Sequence, residues 1–193
     1  ESDLQKSVKN LISVKKDTLI SGFSIISGKD KTILMGDTAV NENPTAEELA
    51  KIAITLAAKA RLLNLEPRVA FISYSSFGSR EGEHVNTIRD AIKILDSKKT
   101  DFEYDGEMTV DVALSENPKK LYPFNKLSGS ANILIANNLT TGNVATNLIK
   151  HISIGTSIIG PIVNGFEKPV QILKYEADFE SIVNSVAFIL AQE

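Results

Sequence analysis

The segment Ser75-Ser76-Phe77-Gly78-Ser79 combines small residues and hydroxyl groups between a predicted strand and a predicted helix. Small residues let backbone N–H groups approach a phosphate or carboxylate closely, and the N-terminus of the following helix favours negative charge. Open α/β sheets bind ligands at this kind of position. The segment therefore indicates an anion-binding loop formed by Ser76, Phe77, Gly78 and Ser79. A plain strand-to-helix turn explains the residues equally well, because the sequence has neither a Walker lysine nor a G-x-G-x-x-G motif.

A second polar segment, Asn137–Asn143, follows the next buried strand that the sequence predicts. If both strands lie in one parallel sheet, the two polar segments emerge at the same edge and can converge on one ligand. The candidate ligand contacts of this segment are Asn138, Thr141, Gly142 and Asn143. The alternative, which the residue types favour slightly, is a polar loop in which Thr141 or Asn143 caps the next helix.

Asp105, Glu107 and Asp111 form an acidic cluster that could provide paired carboxylates or ligands for a hard cation. We favour a simpler interpretation, in which these acids begin a helix and interact with its dipole. The two histidines, His84 and His151, lie beside charged residues on predicted helix surfaces. Their spacing supports no Ser-His-Asp triad.

The composition excludes several classes of protein. The 193 residues contain no cysteine and two histidines, which excludes a disulfide framework, a thiolate zinc site and a His-rich metal site. A net charge of −3 argues against nucleic acid as the main partner, because proteins that bind phosphate backbones concentrate Lys and Arg. The sequence has no apolar run of membrane-spanning length and no secretory features at its start, so we expect a cytoplasmic protein that does not bind membranes. Because it does not begin with Met, we also expect a piece of a longer protein.

Strands and helices alternate along the chain and must position the polar segments. Apolar β-branched runs predict a hairpin at 19–26 and 32–35 and further strands at 69–72, 131–136, 157–162 and 169–173. Helical spacing predicts helices at 3–13, 45–63, 85–95, 105–114, 144–151 and 179–191. The alternation predicts an α/β protein, a three-layer α/β/α sandwich around a mixed, largely parallel sheet.

Several motifs resemble the phosphate acetyl/butyryltransferase family. They are Glu42–Ala50, Glu66–Ala70 followed by Ser73-Tyr74-Ser75, Thr141-Gly142-Asn143, Gly160-Pro161-Ile162 and Lys168-Pro169-Val170. They occur in the family's order and spacing from about residue 18 to residue 191, so the resemblance covers nearly the whole chain. It implies the isocitrate/isopropylmalate dehydrogenase-like fold of phosphotransacetylases, with this chain as the C-terminal part of the family module.

The resemblance also divides the chain into three parts. Residues 1–16 are expected to be a linking helix that belongs to a missing N-terminal lobe. Residues 17–166 are expected to form the second lobe, and residues 167–193 a strand and a closing helix that return to the first lobe.

Three segments resemble more closely the phosphotransacetylase-like C-terminal domain of large bacterial NAD(P)-dependent malic enzymes. They are Ser76–Ser79, Asp105–Met108 with Asp111 and Ala113-Leu114, and Leu127–Leu134. In true phosphotransacetylases, Leu-Ser-Arg-Gly follows the Lys-Pro-Val segment, and an Asp a few residues later takes the thiol proton of coenzyme A. In this chain Lys174 stands in the Ser position, Tyr175 in the Arg position and Ser181 in the Asp position. The resemblance therefore implies an acyl-CoA cleft without acyltransferase activity.

The function implied by this resemblance is that of an acyl-CoA-sensing regulatory and oligomerisation domain of a malic enzyme. Acetyl-CoA is the expected effector, bound by the segments 76–79 and 138–143, the Gly160–Gly165 turn and Lys174. The parent enzyme is expected to oxidise and decarboxylate malate to pyruvate, with NAD(P) and a divalent metal held in a domain outside this chain. We expect a homodimer that pairs through this lobe, with the Ala-rich helix 45–63 as a close-packing surface, and a higher homo-oligomer in the parent.

Two other functions remain open from the sequence. The first is a divergent phosphate acetyl/butyryltransferase that transfers an acyl group between coenzyme A and phosphate, with Lys174 supplying the charge of the missing Arg. The second is a purely structural dimerisation module that binds no ligand.

Overall fold

The computed structural model describes residue 8 and residues 10–171, 173, 177 and 179–190. The described part contains seven strands: β1 (Ser21–Ser27), β2 (Thr32–Gly36), β3 (Arg68–Ile72), β4 (Glu103–Met108), β5 (Ile133–Ala136), β6 (Ser157–Asn164) and β7 (Val170–Gln171). They form one sheet in the order β4-β3-β5-β2-β1-β6-β7.

The sheet is mixed, as the sequence predicted. The neighbours β2, β5, β3 and β4 are parallel, whereas β1 is antiparallel to β2 and β6, and β6 is antiparallel to β7. Because β6 is antiparallel to β1, which is itself antiparallel to β2, five of the seven strands run in one direction. The carboxyl ends of β2, β3, β5 and β6 consequently lie at the same edge of the sheet.

The described helices are α1 (Ala46–Leu62), α2 (Glu83–Lys98), α3 (Val110–Ala113), α4 (Pro118–Leu121), α5 (Leu139–Ile152) and α6 (Phe179–Leu190). A capping box begins α1, in which Thr45 Oγ1 accepts from the Glu48 backbone N–H and the Glu48 carboxylate accepts from the Thr45 N–H. This arrangement satisfies two backbone donors that a helix N-terminus otherwise leaves without a partner.

Apolar side chains from both faces of the sheet form separate cores. On β5, Ile133 and Ile135 pack with α1 and α2, whereas Leu134 and Ala136 pack with α3 and with the inner face of α5. Alternating strand residues point to opposite faces, so a continuous apolar run is buried on both sides. The result is the expected arrangement of helices on both faces of a sheet.

The apolar side chains of α1 are buried within the chain. Leu49, Leu56 and Ala60 are at most 1% exposed, and they pack against the sheet and α2. The close-packing surface expected on this helix for a homodimer is therefore used within the chain. The homodimer itself remains a prediction.

The helix predicted over 105–114 is wrong in its first half. Residues 103–108 form β4, which pairs in parallel with β3, and only Val110–Ala113 is helical. Pairing with β3 and hydrogen bonding of the buried carboxylates of Asp105 and Glu107 outweigh the local preference. The interpretation as helix-dipole partners is wrong for Asp105 and Glu107 for the same reason, whereas Asp111 does lie in the first turn of α3.

Two further predicted helices differ from the structure or lie mostly outside it. The helix predicted over 144–151 begins earlier, because Asn138 caps α5 and accepts a hydrogen bond from the Thr141 N–H. Thr141 and Asn143 are therefore helical residues and not caps. Of the helix predicted over 3–13, only residues 8 and 10–13 belong to the described part of the chain.

Candidate functional site

A polar cavity lies between α5, α6 and the middle of the sheet, and we refer to it as the α5–α6 cavity. It encloses about 70 Å³, which is room for a few water molecules. Its described lining residues are Ser24, Thr38, Asn143, Thr146, Asn147, Lys150, Ile158, Gly160, Pro161, Leu173, Ala177, Ser181 and Ser185.

One face of α5 supplies the amides and the cation of this cavity. Asn143, Thr146, Asn147 and Lys150 recur at the spacing that places residues on a single helix face. The Asn147 side-chain amide donates to Asn143 Oδ1 at 2.9 Å, and the Asn143 amide donates to the Thr38 carbonyl at 3.3 Å. Lys150 is the one charged side chain among the described lining residues. The cavity therefore favours an anionic or strongly hydrogen-bonding group.

Strands β1 and β6 and the segment after β2 form the floor of the cavity. The buried hydroxyls of Ser24 and Thr38 lie 3.1 Å apart within hydrogen-bonding distance. Gly160 has a φ of +130°, and a Cβ there would lie 2.9 Å from the Phe23 carbonyl oxygen. The glycine therefore permits a close approach of the strands beside the cavity. Residues 160–164 belong to β6, so of the predicted 160–165 turn only Gly165 follows the strand.

A different polar site surrounds Glu107, at the carboxyl ends of β3 and β4. Glu107 Oε1 accepts from the Ser75 hydroxyl and from the Gly78 N–H, both at 2.8 Å. Arg89 donates to the same carboxylate from Nε at 3.0 Å and from Nη2 at 3.2 Å. Burial on its own would raise the pKa of Glu107, but the hydrogen bonds from Arg89, Gly78 and Ser75 outweigh it and hold the pKa below its usual value.

Residues 75–80 surround the Glu107 carboxylate, and we call them the Glu107 loop. Their polar groups find hydrogen-bond partners nearby. The Phe77 N–H donates to the Glu107 carbonyl, and the Ser76 N–H donates to Ser79 Oγ. The Ser76 hydroxyl is 3.1 Å from Thr109 Oγ1. These bonds use the backbone donors that the sequence suggested for a phosphate. The carboxylate of Glu107 occupies the position expected for an external anion.

The carboxylate of Asp37 binds a second set of backbone donors, at the end of β2. It accepts from the N–H groups of Gly22, Ala39, Val40 and Asn41 at 2.8 to 3.1 Å. Burial raises the pKa of Asp37 above its usual value, although these hydrogen bonds oppose the shift.

Gly142 contacts the segment that surrounds Asp37. A Cβ on Gly142 would lie 2.1 Å from the Asp37 carbonyl oxygen, so this glycine allows α5 to pack on the end of β2. Its role is close packing of the chain on itself, and it does not line the α5–α6 cavity.

The structure separates the predicted site residues into two groups. Asn143 and Gly160 line the α5–α6 cavity, as does Ser181. Ser76, Phe77, Gly78 and Ser79 lie in the Glu107 loop and do not line that cavity. Asn138 caps α5, and the Thr141 hydroxyl donates to Asn137 Oδ1 at 3.2 Å. Lys174 and Tyr175 lie outside the described residues.

The sequence did not identify most of the described lining residues, although one pattern could have identified two of them. Asn147 and Lys150 continue the polar face begun by Asn143, at four and seven residues further along the helix. Ser24 and Thr38 carry no such signal, because their proximity depends on strand pairing and on the chain after β2.

Two negative observations concern the described residues. They contain no group of three or more acidic or histidine side chains arranged to hold a metal ion. None of their helices combines the length and the apolar character needed to cross a bilayer.

The chain is similar to a transferase family and to part of the malic enzymes. The family model described as phosphate acetyl/butaryl transferase matches residues 2–190. The NADP-dependent malic enzyme of Rhizobium meliloti (strain 1021) is 41% identical over 180 residues, which cover 93% of this chain and 24% of that protein. The phosphate acetyltransferase of Clostridium acetobutylicum is 38% identical over 182 residues, covering 90% of this chain and 54% of that protein.

Structural comparison agrees with these similarities. A phosphotransacetylase from Streptococcus pyogenes superposes with a TM-score of 0.89 at 28% identity, covering 99% of this chain and 59% of that one. The chain thus spans about a quarter of the malic enzyme and somewhat more than half of each of the other two proteins.

Proposed function

The chain belongs to the phosphate acetyl/butaryl transferase family, as its motifs predicted, and we propose that it is the acyl-CoA-sensing regulatory domain of a malic enzyme. In this proposal the domain itself does not catalyse acyl transfer. The parent protein oxidises and decarboxylates malate to pyruvate, with NAD(P) and a divalent metal bound outside this chain. The similarity to a quarter of an NADP-dependent malic enzyme supports this assignment.

Ser181 is the observation on which the proposal mainly rests. It lines the α5–α6 cavity at the position where the family resemblance expects the Asp that takes the thiol proton. A serine hydroxyl is not a base at neutral pH, and loss of a general base typically lowers a rate by about 10²–10⁴. The replacement of the family's Ser and Arg by Lys174 and Tyr175 removes further transition-state contacts. The proposed domain therefore binds acyl-CoA without transferring the acyl group.

The chemistry of the cavity supports retention of a ligand. The face of α5 offers amide groups and the ammonium group of Lys150, and the floor offers the hydroxyls of Ser24 and Thr38. These groups suit the phosphates and the carbonyl oxygens of acetyl-CoA. At about 70 Å³ the cavity admits only one end of such a molecule. The rest of acetyl-CoA would lie outside, against walls that the longer relatives can supply.

An exposed apolar stripe supports the oligomerisation part of the proposal. Val144, Leu148 and Ile152 recur every four residues on α5 and are 58%, 57% and 68% exposed. None of the three lines the α5–α6 cavity. A contiguous exposed apolar surface of this kind marks protein interfaces. In the proposal this lobe pairs with a second copy, and the parent forms a higher homo-oligomer.

Two measurements test the proposal. Calorimetry should detect acetyl-CoA binding to the chain, and Lys150→Gln should weaken it, whereas Lys51→Gln on the exposed side of α1 should not. A coupled assay with acetyl phosphate and coenzyme A should detect no turnover. Absence of acetyl-CoA binding would favour the purely structural module.

The alternative function is a divergent phosphate acetyl/butyryltransferase. The 38% identity to the Clostridium acetobutylicum phosphate acetyltransferase favours this alternative. Turnover near the median of enzymes in general, on the order of 10 s⁻¹, would establish it and overturn the non-catalytic proposal.

A further inference from the structure

A second cavity lies at the turn after β6, and we call it the lysine cavity. Its volume is about 390 Å³, within the range of small-molecule sites. Its described lining residues are Lys15, Lys59, Val163, Asn164, Gly165, Phe166, Glu167, Lys168 and Pro169. None of these residues lines the α5–α6 cavity. Lys168 belongs to the Lys-Pro-Val motif, for which the proposed function provides no role.

Positive charge dominates this cavity. The described lining residues include three lysines, Lys15, Lys59 and Lys168, and one carboxylate, that of Glu167. Lys59 is partly buried, which lowers its pKa, and the nearby positive charge of Lys15 lowers it further. Cations held close together repel one another, and a bound anion relieves that repulsion. The cavity thus has the charge and the size for a negatively charged molecule.

Asn164 provides an independent indication of a ligand. Its side chain lines the cavity and is 8% exposed, and within the described part of the chain its Nδ2 has no hydrogen-bond partner. A buried amide donor without a partner is unfavourable, because it has lost its hydrogen bonds to water and gained none in the protein. Rotation about the last side-chain torsion of Asn is soft, so the amide can turn toward an oxygen atom in the cavity. An anion oxygen would satisfy this donor.

The backbone holds the cavity walls in a fixed arrangement. The Lys15 N–H donates to the Gly165 carbonyl at 2.8 Å, and the Glu167 N–H donates to the Ser13 carbonyl at 2.9 Å. Gly165 has a φ of +102°, and a Cβ there would lie 2.9 Å from the Leu19 carbonyl oxygen. The turn after β6 is therefore pressed against the segment that leads into β1. Such a wall needs little reorganisation to bind a ligand.

We propose that the lysine cavity binds a multiply charged small anion, through Lys15, Lys59, Lys168 and the Asn164 amide. The cavity lies where the segment before β1, helix α1 and the segment after β6 meet. An anion there links three separate parts of the chain. The ligand carries phosphate or carboxylate groups. It is either a free effector or the phosphate-bearing end of a coenzyme A molecule.

The test uses pyrophosphate as the probe in calorimetry on the whole chain. Wild type should bind it saturably in the millimolar range or tighter. Lys59→Gln and Lys168→Gln should each weaken binding at least fivefold, whereas Lys51→Gln on the exposed side of α1 should not. Pyrophosphate should also raise the melting temperature of wild type, and this increase should shrink in Lys59→Gln. The melting curves report whether each variant is folded.

Two outcomes overturn the proposal. The first is that wild type shows no saturable binding heat with pyrophosphate at concentrations up to about 10 mM. The second is an equal loss of affinity in Lys51→Gln and Lys59→Gln, which would indicate general charge attraction.

Acetyl-CoA titration identifies the source of the anion. Weaker acetyl-CoA binding in Lys59→Gln assigns the cavity to the phosphates of coenzyme A, and unchanged binding assigns it to a separate effector. Pyrophosphate binding in this design does not depend on acetyl-CoA binding. The lysine-cavity proposal and the proposed function can therefore fail separately.

Discussion

The Glu107 loop and the α5–α6 cavity both lie beside the central sheet, and both contain small and polar residues, yet their polar groups have different partners. In the loop, the Glu107 carboxylate accepts from Ser75, Gly78 and Arg89. The other backbone N–H groups of residues 76–80 donate within the loop or to the Glu107 carbonyl. In the cavity, hydroxyls and amides surround free volume, and Lys150 provides a cation. A strand-to-helix loop rich in small residues can therefore enclose a carboxylate of its own chain and leave no site for an external anion.

The first prediction removes the internal anion. Glu107→Ala leaves the Gly78 N–H, the Ser75 hydroxyl and part of the Arg89 guanidinium without their acceptor, so we expect a loss of about 2–4 kcal/mol in the free energy of unfolding. Urea denaturation measures this loss. Glu81→Ala is the matched control, because Glu81 also pairs with Arg89 but its side chain is 78% exposed. We expect little change in that variant.

Equal stability of Glu107→Ala and Glu81→Ala would contradict the view that the Glu107 carboxylate holds the loop together. It would mean that the hydrogen bonds of Glu107 contribute no more than an exposed ion pair.

The second prediction concerns pH. The pKa of Glu107 is held below its usual value of 4.5, so the unfolded chain binds the proton more tightly than the folded chain. The stabilisation from this carboxylate is therefore complete above pH 4.5 and is lost as the pH falls through the lower pKa of the folded state. We expect the stability difference between wild type and Glu107→Ala to shrink in that window. Urea titrations at pH 7 and at successively lower pH measure the difference, and a constant difference would exclude a depressed pKa.

The carboxylates of Asp37 and Asp105 should behave in the opposite way. Burial raises the pKa of each above its usual value of 3.8, although hydrogen bonds oppose the shift. Protonation of these groups in acid therefore relieves a cost of burial. The acid unfolding of wild type alone therefore combines opposite contributions. The contribution of Glu107 is the difference in the free energy of unfolding between wild type and Glu107→Ala at each pH.

The sequence predicted most of the fold because its strongest signals are local. The apolar run of β5 and the capping residues before α1 each specify an element within a few residues. The strand β4 was missed because its residues, Glu-Tyr-Asp-Gly-Glu-Met, acquire strand structure through pairing with β3. Burial of Asp105 and Glu107 depends on donors from residues 126 and 75–89, which local sequence does not reveal.

The site was predicted less well than the fold, for a related reason. The polar loops after β3 and β5 are genuine features of the chain, but residue types do not reveal which groups already have partners within the protein. The sequence indicated both Gly78 and Gly142 as ligand contacts. In the structure the Gly78 N–H donates to Glu107, and Gly142 packs on the Asp37 carbonyl. Asn143 and Gly160 do line the cavity, whereas Lys150 was missed.

The third prediction tests the packing role of Gly142. A Cβ there would lie 2.1 Å from the Asp37 carbonyl oxygen, a backbone atom, so α5 or the end of β2 must move to accept Gly142→Ala. Overpacking of this kind typically costs about 1–3 kcal/mol. The control substitution is Gly155→Ala, because a Cβ on Gly155 meets no atom within 4 Å, although its φ of +76° adds backbone strain. A smaller loss in Gly142→Ala than in Gly155→Ala by thermal unfolding would contradict the packing role.

The last prediction separates the two regions by affinity. Lys150 is the charged side chain among the described residues that line the α5–α6 cavity, and Lys150→Gln keeps a polar group of similar length without the positive charge. Because Lys150 is solvent-exposed, water screens its attraction for a phosphate or thioester oxygen. We therefore expect a modest, roughly three- to tenfold loss of acetyl-CoA affinity in calorimetry, with unfolding unchanged.

Gly78→Ala is the opposite case. The φ of Gly78 is +89°, a conformation in which any side chain is strained. The free energy of unfolding should therefore fall by about 1 kcal/mol, while acetyl-CoA affinity stays the same. If Gly78→Ala weakened acetyl-CoA binding and Lys150→Gln did not, the ligand would bind at the Glu107 loop, and the distinction between a self-satisfied loop and an open cavity would be wrong for this chain.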